Sequence, residues 1–149
     1  VKYIVLLLTL MSSIALANTQ IYALLEANGA KAYFAQSQEK MAAITIALDP
    51  KLAAHEKTVK EWASTYFAWK QIRESLVPIY ESKFTADEIE ELIGFYRTGS
   101  DPSFYETQTG KKLKSLQPLI NQEFIAAGHR YMITVSPHLE EMINTKKDL

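Results

Sequence analysis

Phe84-Thr85-Ala86-Asp87-Glu88-Ile89-Glu90-Glu91-Leu92-Ile93-Gly94-Phe95-Tyr96-Arg97 is the stretch that decides the fold class. Thr85 is a helix N-cap residue, and Glu88, three positions on, can reach back to its amide, which makes a capping box. Asp87, Glu88, Glu90 and Glu91 put negative charge near the positive end of the helix dipole. Ile89, Leu92, Ile93 and Tyr96 return every three or four residues and form a buried face that Phe95 widens. The helix is expected to end around Arg97 to Gly99. Cap, charge and period all ask for a helix here.

The same period runs outward in both directions. Downstream, residues 98–110 hold two glycines and Pro102 and read as a loop. Beyond it Leu113, Leu116, Ile120, Phe124, Ala127 and Tyr131 share one side of a last helical region, which Pro118 and Pro137 are expected to bend or segment. Upstream, Trp62, Tyr66, Trp69, Ile72, Leu76 and Ile79 form a stripe in a long segment from Pro50 to about Ser82, with a kink or break expected near Pro78. Ala30 to Leu48 reads as a helix stopped by Asp49-Pro50. Thr19 to Ala27 reads as a shorter one ending at Asn28-Gly29, with Gly29 suited to the left-handed cap position. No alternating run competes as a strand. The expected fold is all-α: one compact domain over residues 18–149, a bundle of about five helices with an inserted loop near residues 98–110.

Composition narrows the function without selecting one. The chain has 149 residues, 16 basic and 17 acidic side chains, and no cysteine. The missing cysteines exclude a disulfide scaffold, a thiolate metal site, a cysteine nucleophile and a lipid-modified cysteine anchor. Near-balanced charge argues against nucleic acid as a partner. The N-terminal stretch has one lysine, Lys2, then an apolar run from Ile4, then Ala15-Leu16-Ala17, the three parts of a secretory signal. Residues 1–17 are therefore expected to be a cleaved signal peptide, because Asn18, Thr19 and Gln20 end the apolar run short of the ~20 residues a spanning helix needs. The product is expected to be periplasmic or secreted, not a lipoprotein, and without an integral membrane span.

No catalytic constellation is found. His55, His129 and His138 are not spaced as a helical metal pair. The carboxylates from Asp87 to Glu91 lie at a helix start rather than on a calcium-binding loop. Lys111, Lys112 and Lys114 are the one dense basic cluster and read as a solvated face. There is no phosphate-binding glycine loop and no Gly-x-Ser-x-Gly. No catalytic residue, metal site or cofactor is assigned. Many of the aromatic residues stand at helical core spacing and read as core material first and ligand-pocket linings second, and Tyr66, Trp69, Tyr80 and Tyr96 carry polar tips that need partners when buried. A tyrosine-lined cavity between helices is the concrete route to small-ligand binding.

Leu76-Val77-Pro78-Ile79-Tyr80, Phe84 to Thr98, and Gly110-Lys111-Lys112-Leu113 together resemble the domain of unknown function 2059 family, exported helical proteins found largely in Gram-negative bacteria. The family pattern is approximately Tyr-x-x-x-Phe-Thr-x-x-Glu-Leu, then Phe-Tyr-Arg-Ser-Pro-x-Gly-x-Lys. Tyr80, Phe84, Thr85, Glu88, Phe95, Tyr96, Arg97, Gly110 and Lys112 occupy those places, over about residues 69 to 131. The resemblance implies a helical fold and export, and it implies no reaction. Where the family has a tight turn, this chain has an insertion from Gly99 to about Gln108 that carries Phe104 and Tyr105. Phe84, Thr85, Glu88, Gly110 and Lys112 are expected to be structural. Arg97 has three candidate partners: the terminal carbonyls, a carboxylate or an anionic ligand.

Tyr80, Phe95, Tyr96, Arg97, Phe104 and Tyr105 are the candidate ligand or partner residues. The expected function is a non-enzymatic binding or interaction protein of the cell envelope, whose partner is an envelope protein or a small ligand. The alternative is a carrier of a small apolar ligand, with an aromatic cavity near Tyr80, Phe95 and Tyr96. An enzyme assembled from Arg97, Glu88 and a histidine is disfavoured.

Overall fold

A computed structural model of the chain describes residues 18–147. The expected signal, residues 1–17, lies outside the described residues. Among the described residues there are helices and no strand, so the all-α class is observed. The helices are α1 (18–27), α2 (Ala30–Leu48), α3 (Glu56–Tyr66), α4 (Trp69–Glu81), α5 (Ala86–Arg97) and α6 (Gln108–Lys147), with 3-10 turns at Pro50–His55 and Pro102–Glu106. That is one helix more than the expected five.

The chain forms two compact units. The first joins α1 to the segment Val77–Glu123, and the second joins Ala30–Leu76 to the chain from Phe124 onward. In the first unit Leu24 and Leu25 of α1, Leu92 of α5, and Leu113 and Ile120 of α6 form a core almost sealed from water. In the second, Val59 and Trp62 of α3, Leu76 of α4 and Ala127 of α6 do the same. Trp62 hides its indole, and its Nε1–H donates to the Val135 carbonyl at 2.9 Å, so burial leaves no orphaned donor.

Three local expectations change. The long segment from Pro50 to Ser82 does break, but at Phe67-Ala68 and not at Pro78, which stands inside a continuous α4. Pro118 and Pro137 likewise stand inside α6 without dividing it. Each proline forgoes one helix hydrogen bond, and all three stand on exposed positions of their helices. The break at Phe67 has a tertiary cause: its ring is buried edge-on against Trp62 at 5.1 Å and against Tyr131 at 5.9 Å.

The third change is the inserted loop, which is ordered. Thr98 N–H donates to Gly94 O as the last regular helix bond, and Ser100 N–H reaches back to Phe95 O, the 6→1 bond of a Schellman-type ending, with Gly99 at φ 91. Ser100 also adopts positive φ, at 61. Asp101 then caps a 3-10 turn by accepting from Ser103 N–H at 2.9 Å. Helix α6 starts at Gln108, so the irregular stretch is shorter than residues 98–110.

Candidate functional site

The signature residues of the first unit converge into one fastening. Thr85 N–H donates to Glu88 Oε2 at 2.8 Å and Glu88 N–H to Thr85 Oγ1 at 3.3 Å, so the expected capping box is formed. Lys112 of α6 then donates to both oxygens of Glu88, at 2.9 and 2.7 Å, and its ammonium lies 5.2 Å from the centre of the Phe84 ring. The Lys112 ammonium and the Thr85 amide hold the Glu88 carboxyl below the usual carboxylate range. Thr107 caps α6 by accepting from Gly110 N–H at 3.0 Å. Lys83, almost fully buried between α4 and α5, is ion-paired with Glu123 of α6.

The candidate partner residues mostly belong to this fastening as well. Tyr80 and Phe95 are buried, and Asn28 Nδ2–H donates to the Tyr80 hydroxyl at 3.0 Å. Burial pushes the Tyr80 phenol far above its ordinary value. Tyr96 is half-buried, and burial followed by the nearby Tyr105 raises its phenol too. Phe104 stacks on Phe95 with centroids 4.4 Å apart and planes 16° apart, and Tyr105 meets the same ring edge-on at 5.5 Å. The insertion therefore spends its rings on Phe95 and does not present both to solvent. Arg97 stands exposed in the last turn of α5, where its charge suits the dipole. It has no hydrogen bond or ion pair among the described residues, so neither of its expected protein partners is present.

An apolar concavity in the second unit was not foreseen. A cavity of about 230 Å³ opens beside α2, with walls from Phe34 and Met41 of α2, Phe67, Leu76 of α4, and Tyr131 and Met132 of α6. Tyr33 and Gln38 also border it. None of Tyr80, Phe95 and Tyr96 contributes to it. The walls carry no charged side chain and are almost wholly carbon.

Gly128 also lines this cavity, inside α6. A Cβ built there meets no atom within 4 Å, so nothing steric requires a glycine. Glycine in a helix interior costs about 1 kcal/mol against alanine. An isolated glycine within the apolar pattern of α6 was the available sequence signal for this wall. Met41 and Met132 add side chains that reshape at little cost.

Among the described residues no group of three side chains could hold a metal ion, and no helix is long and apolar enough to cross a membrane. The three histidines have different surroundings: His138 stacks on Tyr66 at 4.9 Å, His129 is exposed, and His55 precedes α3 without a side-chain capping bond.

A family model described as an uncharacterized protein conserved in bacteria (DUF2059) matches residues 70–99, which include Tyr80, the capping box and the Phe95-Tyr96-Arg97 run. No curated protein and no solved structure matches the chain.

Proposed function

We propose that the protein is an exported, non-enzymatic binding protein that takes a small apolar molecule into the cavity of its second unit. Gly128 carries this reading. It occupies a helix interior in the cavity wall, where a larger residue would fit and would hold the helix better. Keeping glycine there forgoes stability and preserves space, as expected where empty volume is used. The volume supports a ligand of modest size, since a dry cavity of about 150 Å³ already admits benzene.

The family signature does different work. Phe84, Thr85, Glu88, Gly110 and Lys112 are engaged with one another and with the turn at Pro102–Glu106, so their chemistry is spent on holding the first unit together. This supports a fold-maintaining role for the signature and leaves the ligand to the second unit. Export is inferred from the small-x-small end at Ala15-Leu16-Ala17 after an apolar run.

Thermal unfolding with and without ethylbenzene tests the reading. Ligand should raise the midpoint in the wild-type protein and in Gly94→Ala, whose α5 glycine also has free space but lies in the first unit. Gly128→Leu should fold at least as stably and lose the ligand-induced rise. A rise that survives Gly128→Leu unchanged would place binding elsewhere.

A further inference from the structure

The polar atoms around the cavity indicate which ligands it accepts, an inference that rests on the binding reading above. Four side chains there already donate a hydrogen bond to a backbone carbonyl, and of them Gln38 alone has a second N–H left to give. Ser37 Oγ–H donates to Tyr33 O at 3.0 Å, and Ser75 Oγ–H donates to Ile72 O at 2.7 Å. Gln38 Nε2–H donates to Ser64 O at 3.2 Å, and Tyr131 O–H donates to Tyr66 O. The partner carbonyl accepts only, so the Gln38 amide nitrogen must face it and its Oε1 must face away. Burial, and then the nearby Tyr66, raises the Tyr131 phenol above its ordinary value.

What remains after these bonds is a surplus of acceptors. Each serine oxygen keeps a lone pair, and Gln38 keeps its Oε1 beside one remaining N–H. No lysine, arginine or histidine lines the walls. A ligand carboxylate would lose its hydration here and gain no cation and few donors, an uncompensated cost. A ligand hydroxyl or N–H would instead find an acceptor, while its carbon body covers Phe34, Phe67 and Met132.

We propose that the cavity selects neutral molecules of about one substituted ring that carry a single hydrogen-bond donor, of the alkylphenol or branched-alcohol class, and rejects carboxylates of the same shape. The selectivity arises from acceptors that outnumber the one unspent donor on a wall without charge. Exclusion of anions separates this site from a fatty-acid carrier, which needs a cation or a cluster of donors at its mouth.

Calorimetric titration of the full chain near neutral pH, with para-ethylphenol, ethylbenzene and para-ethylbenzoate, decides the matter. Para-ethylphenol should bind about tenfold more tightly than para-ethylbenzoate, with ethylbenzene between them. Gly128→Leu should weaken para-ethylphenol and ethylbenzene together, whereas Gly94→Ala should change neither, which separates loss of the cavity from loss of fold. Gln38→Leu should reduce the advantage of para-ethylphenol over ethylbenzene and leave ethylbenzene bound. If para-ethylbenzoate binds as tightly as the phenol, the selectivity is overturned while the binding reading stands. If none of the three binds, the binding reading fails and the selectivity with it.

Discussion

The backbone of Gly110 runs so close to Phe104 that a Cβ on the glycine would stand 1.9 Å from the Phe104 carbonyl oxygen. That atom belongs to the backbone of the turn at Pro102–Glu106, whose Phe104 ring is stacked on Phe95, so it cannot step aside as a flexible side chain would. Gly110→Ala is expected to destabilise the first unit by about 2 kcal/mol or more, read from urea unfolding. Gly94→Ala, made in open space, should instead stabilise by about 0.5–1 kcal/mol.

Glu88→Gln should lose the doubly bonded pair with Lys112 and weaken the capping box. Because the folded-state carboxyl is held below its ordinary value, its stabilisation is complete above the unfolded pKa and disappears as pH falls through the folded one. Near neutral pH the variant should be less stable by about 1 kcal/mol. The difference should shrink as pH falls below the ordinary glutamate value and vanish once the wild-type carboxyl is protonated in the folded state too. A constant difference across the acid range would contradict the assignment.

Tyr80 gives the opposite sign at the alkaline end. Its neutral phenol is favoured by burial, so that stability is complete below the ordinary tyrosine value and is lost as pH rises above it. Tyr80→Phe should cost about 1 kcal/mol near neutral pH through the lost bond to Asn28. Above about pH 10 the gap should close, as denaturation curves across pH would record.

How far these features could be read from the chain depended on the range of the forces involved. The capping box at Thr85 and Glu88 was legible because both partners lie within one turn. The Ala30–Leu48 helix was legible because Asp49-Pro50 stops it locally. The break at Phe67 was not, since Tyr66-Phe67-Ala68 has neither glycine nor proline and the ring is placed by Trp62 and Tyr131. The insertion looked like a loop because Gly99 and Pro102 are turn residues; its order comes from Phe104 finding Phe95. The cavity was least legible. It is a space left where α2, α4 and α6 fail to fill a volume, and no single residue encodes a space.

Helix α2 should be the least protected helix of the second unit. Of its side chains only Ala42 is buried, while Tyr33, Ile44 and Leu48 are exposed. Few buried contacts mean low local opening free energy. Hydrogen exchange should show α2 amides exchanging faster than those of α3. Para-ethylphenol should slow them, since a ligand that binds the closed form stabilises the element that walls it. Equal rates with and without ligand would argue that α2 takes no part.

The two tryptophans differ in a way that light can detect. Trp62 gives its indole hydrogen to Val135, whereas Trp69, with its ring centre 6.2 Å from the cavity-lining Phe34, has a sealed Nε1–H with no acceptor among the described residues. An indole neither hydrated nor hydrogen-bonded emits toward the blue, and its emission moves when its neighbours do. A Trp62→Phe protein would therefore carry one tryptophan, adjoining the space that Phe34 borders, and occupancy there would be visible in its selectively excited emission without any added dye.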